Sequence, residues 1–96
     1  LIRYTRGSLA DIDQAITYLE ERNPTAAERL RARISATGAL IEKRLRIGRP
    51  GRVEGTRERI VGGTRYIVAY RVVGEDVEVL AVRHSSRRWP DHFGGD

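Results

Sequence analysis

Arg57, Glu58, Arg65, Arg71, Arg83 and His84, all in the C-terminal half of this 96-residue chain, are side chains of the types that cleave RNA without a metal. That reaction needs a base to take the 2′-proton, cations to hold the phosphate as negative charge builds, and an acid for the leaving oxygen. Imidazole ordinarily titrates near neutrality. His84 and Glu58 are therefore the proton-transfer candidates, with Arg57, Arg65 and Arg71 on phosphate. All six come from neighbouring predicted strands and could meet on one region of sheet. The competing reading is structural: Glu58 pairs with a cross-strand arginine, and His84 merely ends a strand.

Other chemistries fit less well. His84 and His92 are eight residues apart without a well-placed third ligand, so no metal site is expected. The glycines of residues 48–56 are not followed by the lysine and hydroxyl of a phosphate-binding loop. Ser85, His84 and Asp91 do not make a triad, because adjacent strand residues point to opposite faces. No cofactor is implied.

Binding is the alternative to catalysis. The net charge is +5, and 17 of the 18 cations are arginine, whose planar fork grips phosphate or carboxylate with two hydrogen bonds. Acidic partners follow, either nucleic acid or an acidic polypeptide. The stretch RRWPDHF, residues 87–93, mixes cations with aromatics in a C-terminal arm. Trp89 either folds back to cap the core or stays exposed as an interaction hot spot. The stretch GRPGRVEGTRE, residues 48–58, is a joint by its glycine and proline content, and Arg49, Arg52 and Arg57 could flank the mouth of a groove.

The elements that would position these groups are read from periodicity. Ile2 to Thr5 alternates as a short edge strand would. Ser8 to Asp11 offers a capping box for a first helix, whose apolar stripe is Leu9, Ile12, Ile16 and Leu19. Asn23-Pro24 closes that helix and opens a second of about 22 residues, with Ala27, Leu30, Ile34, Ile41 and Leu45 on its buried face. Arg29 and Arg33, with Lys43, Arg44 and Arg46, give the long helix a basic flank. Gly38 inside it suggests a helix-helix crossing. Gly48 reads as a left-handed helix terminator with Pro50 forbidding continuation.

Strands follow at 57–61, 64–73 and 77–83. Gly62-Gly63 suits a type I′ hairpin turn, and Gly74-Glu75-Asp76 forms the next one. On the middle strand Tyr66, Val68, Tyr70 and Val72 face the core. Arg65, Ile67, Ala69, Arg71 and Val73 would leave a partly open, positively charged surface. The prediction is one α+β domain over residues 1–96: a short first strand and a helical hairpin packed on a three- to four-stranded antiparallel sheet. No run is long and apolar enough for a membrane span, and LIRYTRG lacks the pattern of a signal peptide. With no cysteine, a cytoplasmic location is expected.

GRPGRVEGTRE at 48–58, YIVAYRV at 66–72 and VLAVRHSSRRWP at 79–90, behind a helical hairpin, resemble the RelE/ParE superfamily of toxins from type II toxin-antitoxin systems. The likeness spans the whole chain and implies a β-α-α-β-β-β fold. Members of the ribonuclease branch typically carry an arginine three residues before the middle-strand tyrosine; here, counting back from Tyr70, that position is Ile67. ParE-like members, which poison DNA gyrase by binding, commonly have this aliphatic strand and a GTRE segment. His84 matches a histidine of several ribonuclease members.

The resemblance implies a growth-inhibiting, plasmid-stabilising toxin of ParE type, with no catalytic residue favoured. Its target contact would lie on Arg83, Arg87, Arg88 and Trp89. An antitoxin with an acidic or amphipathic tail would cover Arg49, Arg52, Arg65 and Arg71, and operator DNA would be reached only through that antitoxin. The alternative is a ribosome-dependent mRNA endoribonuclease of RelE type using Glu58, His84, Arg57, Arg65 and Arg71. A small basic nucleic-acid-binding module is the third reading.

Overall fold

A computed structural model describes residues 1–93. Its elements in chain order are β1 (Ile2–Tyr4), α1 (Arg6–Glu20), α2 (Pro24–Lys43), β2 (Arg49–Pro50), β3 (Arg57–Ile60), β4 (Tyr66–Val73) and β5 (Asp76–His84). They form one five-stranded sheet in the order β1-β5-β4-β3-β2, with the helical hairpin packed on one face. The α+β architecture and the edge position of the first strand follow the sequence expectation. The sheet is mixed rather than wholly antiparallel, because β1 runs parallel to β5. The extra strand is β2, two residues of the glycine-rich joint paired with β3.

The first helix begins earlier than its serine suggested. Thr5 is the N-cap and accepts from the Ser8 backbone N–H, while the buried Ser8 hydroxyl donates back to the Thr5 carbonyl. Of the expected stripe, Ile12, Ile16 and Leu19 do pack on the core. Ser8, Ala15 and Ile16 are buried, whereas Leu9 is 54% exposed, contrary to its assignment to the core face. Asn23 caps α2 by accepting from the Ala26 N–H, with Pro24 in the first turn as expected. Ala27, Leu30, Ile34 and Ile41 point inward from α2.

Gly38 faces β1 instead of a crossing helix. A Cβ there would run into the Tyr4 hydroxyl and lie 3.4 Å from the Ile2 side chain. The glycine lets a strand, not a helix, approach α2.

The core lies between the hairpin and the sheet face of Val68, Tyr70, Val77, Val79 and Val82, with Tyr66 and Val72 packed at its margins. An irregularity between Ala69 and Tyr70 shifts the register by one, from Ala69↔Ala81 to Tyr70↔Val79, so Val79 and Val82 share that face. The turn before β4 is not type I′, since only Gly63 of the glycine pair has positive φ. Gly74, at φ 65°, opens the two-residue β4–β5 connection as a type II′ turn requires. No helix among the described residues is long and apolar enough to cross a membrane.

Candidate functional site

The face of the sheet turned away from the helices carries two carboxylates, Glu58 on β3 and Glu78 on β5. Both are buried. Strand alternation brings Arg71 opposite Glu78, and the parallel pairing of β1 brings Arg3 to the other side. Glu78 accepts from Arg71 Nε at 2.6 Å and forms an ion pair with Arg3. Glu58 is held the same way by the glycine-rich segment that curls back over it. Arg49 Nη2 reaches Oε1 at 3.2 Å, and Oε2 takes both the Arg52 backbone N–H at 2.9 Å and Arg52 Nε at 3.2 Å. Burial pushes the Glu58 carboxyl up, but these arginine donors outweigh it and leave its pKa below the usual glutamate range.

The same segment is pinned at both ends. Tyr70 is fully buried; its hydroxyl donates to the Leu45 carbonyl at 2.9 Å and accepts the Gly48 N–H at 2.9 Å. Gly48 does not have positive φ, so it is not the left-handed terminator expected of it; α2 has already ended at Lys43. A Cβ at Gly48 would fall 2.7 Å from the Tyr70 hydroxyl and 2.9 Å from the Glu58 carbonyl, so this glycine serves close approach. At the other end Arg57 Nη1 donates to the Gly48 carbonyl at 2.8 Å. Within the turn the Gly51 N–H bonds the Thr56 carbonyl at 2.8 Å and the Thr56 hydroxyl bonds the Val53 carbonyl at 2.6 Å.

Onto this segment folds the C-terminal arm. The Arg52 guanidinium lies 4.3 Å from the centroid of the Trp89 ring, which meets Phe93 edge-on at 6.3 Å. Arg83 sits 5.9 Å from the Phe93 ring, donates to the Arg88 carbonyl at 3.5 Å, and pairs with Asp11 of α1 at 3.6 Å. A cavity of about 220 Å³ separates Val53–Thr56 from His92 and Phe93 above Arg71 and Glu78. The middle of this face, Ile67, Ala69 and Ala81, is buried without helix cover. The expected face is thus partly open: Arg65, Arg71 and Val73 are exposed at its ends and its middle is buried, while Arg3, Arg49, Arg52 and Arg71 are matched to the two carboxylates.

His84 stands elsewhere. It is half-buried at the end of β5, in register with Tyr66 on the helix side, and its ring meets that tyrosine edge-on at 5.4 Å. The Ser86 N–H and hydroxyl lie 3.2 and 2.7 Å from Nδ1. Arg65 shares with it a cavity of about 250 Å³ that Arg29, Arg33 and Leu30 also line. The six residues proposed for RNA cleavage are thus dispersed: Glu58 and Arg71 on one face, His84 on the other, and Arg57 at the opposite end of the ladder from His84. Of the target-binding set, Arg83 supports Arg88 and the stretch that carries Trp89, whereas Arg87 lines a cavity with Asp11, Tyr66 and His84 on the helix side. Of the antitoxin set, Arg49, Arg52 and Arg71 share the covered face, while Arg65 lies at the hairpin end beside His84.

Glu78 and Arg3 were not picked out from the sequence, and Asp11 enters there only as the carboxylate of a capping box, which it does not form. The alternation Val77-Glu78-Val79 opposite Arg71 held the signal for Glu78. The partner of Asp11 was hidden, because its carboxylate accepts from the Val82 N–H at 3.0 Å across 71 positions of chain.

The description "ParE toxin of type II toxin-antitoxin system, parDE" matches residues 2–89. The chain belongs to the ParE toxin family. Y4kP of Sinorhizobium fredii, strain NBRC 101917 / NGR234, is 38% identical over 89 residues, covering 93% of this chain and 92% of that protein. A solved chain of the chromosomal ParDE TA system from P. aeruginosa shares the fold, with a TM-score of 0.78 at 21% identity over 86% of this chain and 92% of its own. In this ParE-family toxin, the family match takes in the glycine-rich segment and the arm as far as Trp89.

Proposed function

We propose that this ParE-family toxin halts growth by binding DNA gyrase stoichiometrically through its C-terminal arm, and that a cognate antitoxin of ParD type neutralises it in the cytoplasm. The observation that carries the reading is the fate of Glu58. The carboxylate best suited to acid–base work is buried between Arg49 and Arg52 and held ionised, on the sheet face opposite His84. A general acid–base pair needs both groups on one substrate. What the arm offers a partner is exposed Arg87 and Arg88 beside a half-buried Trp89, a composition that suits a protein-binding hot spot.

The antitoxin's acidic or amphipathic tail would seek cations that lack an internal carboxylate. Arg65, with Arg29 and Arg33 beside it, fits better than Arg71, which Glu78 already holds. Operator DNA is then reached through the antitoxin.

Paired assays test this: gyrase supercoiling with detection of the cleavage complex, and primer extension on translated mRNA. Inhibition in the first alone supports the proposal; codon-associated cuts in the second transfer the protein to the RelE-type reading. Truncation after Arg83 is expected to abolish toxicity while antitoxin binding stays measurable. Toxicity that survives the deletion would move the target contact onto the sheet.

A further inference from the structure

We infer that Glu58 is a positioning residue for the arm: through Arg52 it holds Trp89, and with it the arm, in the pose that meets the target. The inference rests on the reading that the arm is the target contact. Arg52 has a long side chain that in water would sample many rotamers. Here the Glu58 carboxylate fixes it at two points, the backbone N–H at 2.9 Å and Nε at 3.2 Å, with Nη2 at 3.5 Å from the second oxygen. A guanidinium tied along one edge keeps its flat faces free for stacking, and one of them meets the Trp89 ring at 4.3 Å. The indole Nε1 is buried without a hydrogen-bond partner among the described residues, so the ring is held by stacking and packing alone.

Arg49 provides the internal control. It binds the same carboxylate at 3.2 Å but makes no ring contact with Trp89 among the described residues. The carboxylate is itself fixed, because Glu58 is 3% exposed and paired with Ala69 in the middle of the sheet. The order of support therefore runs from the rigid sheet to Glu58, from Glu58 to Arg52, and from Arg52 to the arm. The glycine-rich joint gains a second purpose: it brings Arg52 back across Glu58 to where the arm passes.

Trp89 is the only tryptophan, so its fluorescence reports the arm in the full-length protein whether or not a target is present. Glu58→Gln keeps the side-chain shape and removes the charge. Arg52→Lys keeps the charge and removes the planar fork. Both are expected to shift Trp89 emission to the red, to raise acrylamide quenching about twofold, and to weaken gyrase inhibition about tenfold or more. Arg49→Ala should leave emission and quenching at the wild-type values, and far-UV circular dichroism should confirm that each variant is folded.

Unchanged emission and quenching in folded Glu58→Gln and Arg52→Lys would overturn the inference. So would a Trp89 signal that moves while gyrase inhibition stays at the wild-type level. If the wild-type protein itself fails to inhibit gyrase, the target reading falls instead, and the fluorescence series still decides whether Glu58 anchors the arm. Should Glu58→Gln fail to fold, Arg52→Lys against Arg49→Ala carries the same comparison.

Discussion

Glu58 was the residue on which a catalytic reading of the sequence depended, and its neighbours give it a different task. Its folded pKa lies below the ordinary glutamate range of about 4.3, so it binds protons less readily in the native state than in the unfolded chain. The stabilisation it contributes is complete above that range and is lost as pH falls through the depressed folded value. Glu58→Gln should flatten that acid limb in urea denaturation followed from neutrality to acid. At neutral pH it should cost about 1–2 kcal/mol, towards the low end for charged hydrogen bonds because Arg49 and Arg52 both remain accessible to water. An acid limb as steep as that of the wild type would mean that Glu58 does not govern it. Tyr70 makes a simpler case: Tyr70→Phe removes one donor to Leu45 and one acceptor for the Gly48 N–H in a fully buried site. About 1–3 kcal/mol is expected from the same denaturation.

Among the elements, those built on periodicity were readable in advance: the apolar steps of α2 from Ala27 to Ile41, the alternation of β4 and the proline-punctuated helical turn appear where their spacing put them, while Leu45 falls beyond the helix, which ends at Lys43. Contacts made at a distance were not. Thr5 displaced Ser8 as the cap because its own backbone is tied to Val79 of β5 at 3.0 Å, a constraint no local window contains. Leu9 lies at the margin of the buried face, where Ser8 takes the inward position. Gly38 was read as a close approach correctly and given the wrong neighbour, since helical spacing says that something comes near without saying what. At the candidate site the arginine clusters were visible, but their pairing with Glu58 and Glu78 depends on register and on β1 joining β5 in parallel.

The partner assigned to Gly38 can be checked by coupling. Gly38→Ala adds a methyl group that meets the Tyr4 hydroxyl, while alanine favours a helix interior by about 1 kcal/mol over glycine. In the wild-type background the clash should win and lower the melting temperature. In Tyr4→Phe, with the obstructing oxygen gone, the same change should cost less or become stabilising. Additive effects of the two substitutions would separate β1 from Gly38.

For the molecule as a whole, the distribution of charge matters more than its total of +5. Three acids are engaged internally: Glu58 and Glu78 each hold two arginines on the face away from the helices, and Asp11 serves the Val82 N–H and Arg83. Elsewhere a group of arginines has no carboxylate to answer it. Arg29, Arg33 and Arg65 line one cavity with Leu19, Leu30 and Tyr66 beneath them, and none of the three forms an ion pair among the described residues. A cationic rim over an apolar floor attracts an acidic, amphipathic chain over distance and then gives it something to bury. Reversing two of these charges, Arg29→Glu with Arg33→Glu, should slow antitoxin association about tenfold or more at low salt and flatten its dependence on ionic strength, with a smaller change in dissociation. Stopped-flow mixing across a salt series measures both rates. Gyrase inhibition by the free toxin should survive the double reversal, because Trp89 and its support at Arg52 lie on the far face of the sheet. If the reversal leaves antitoxin association untouched but relieves gyrase inhibition, the two surfaces have been assigned the wrong way round.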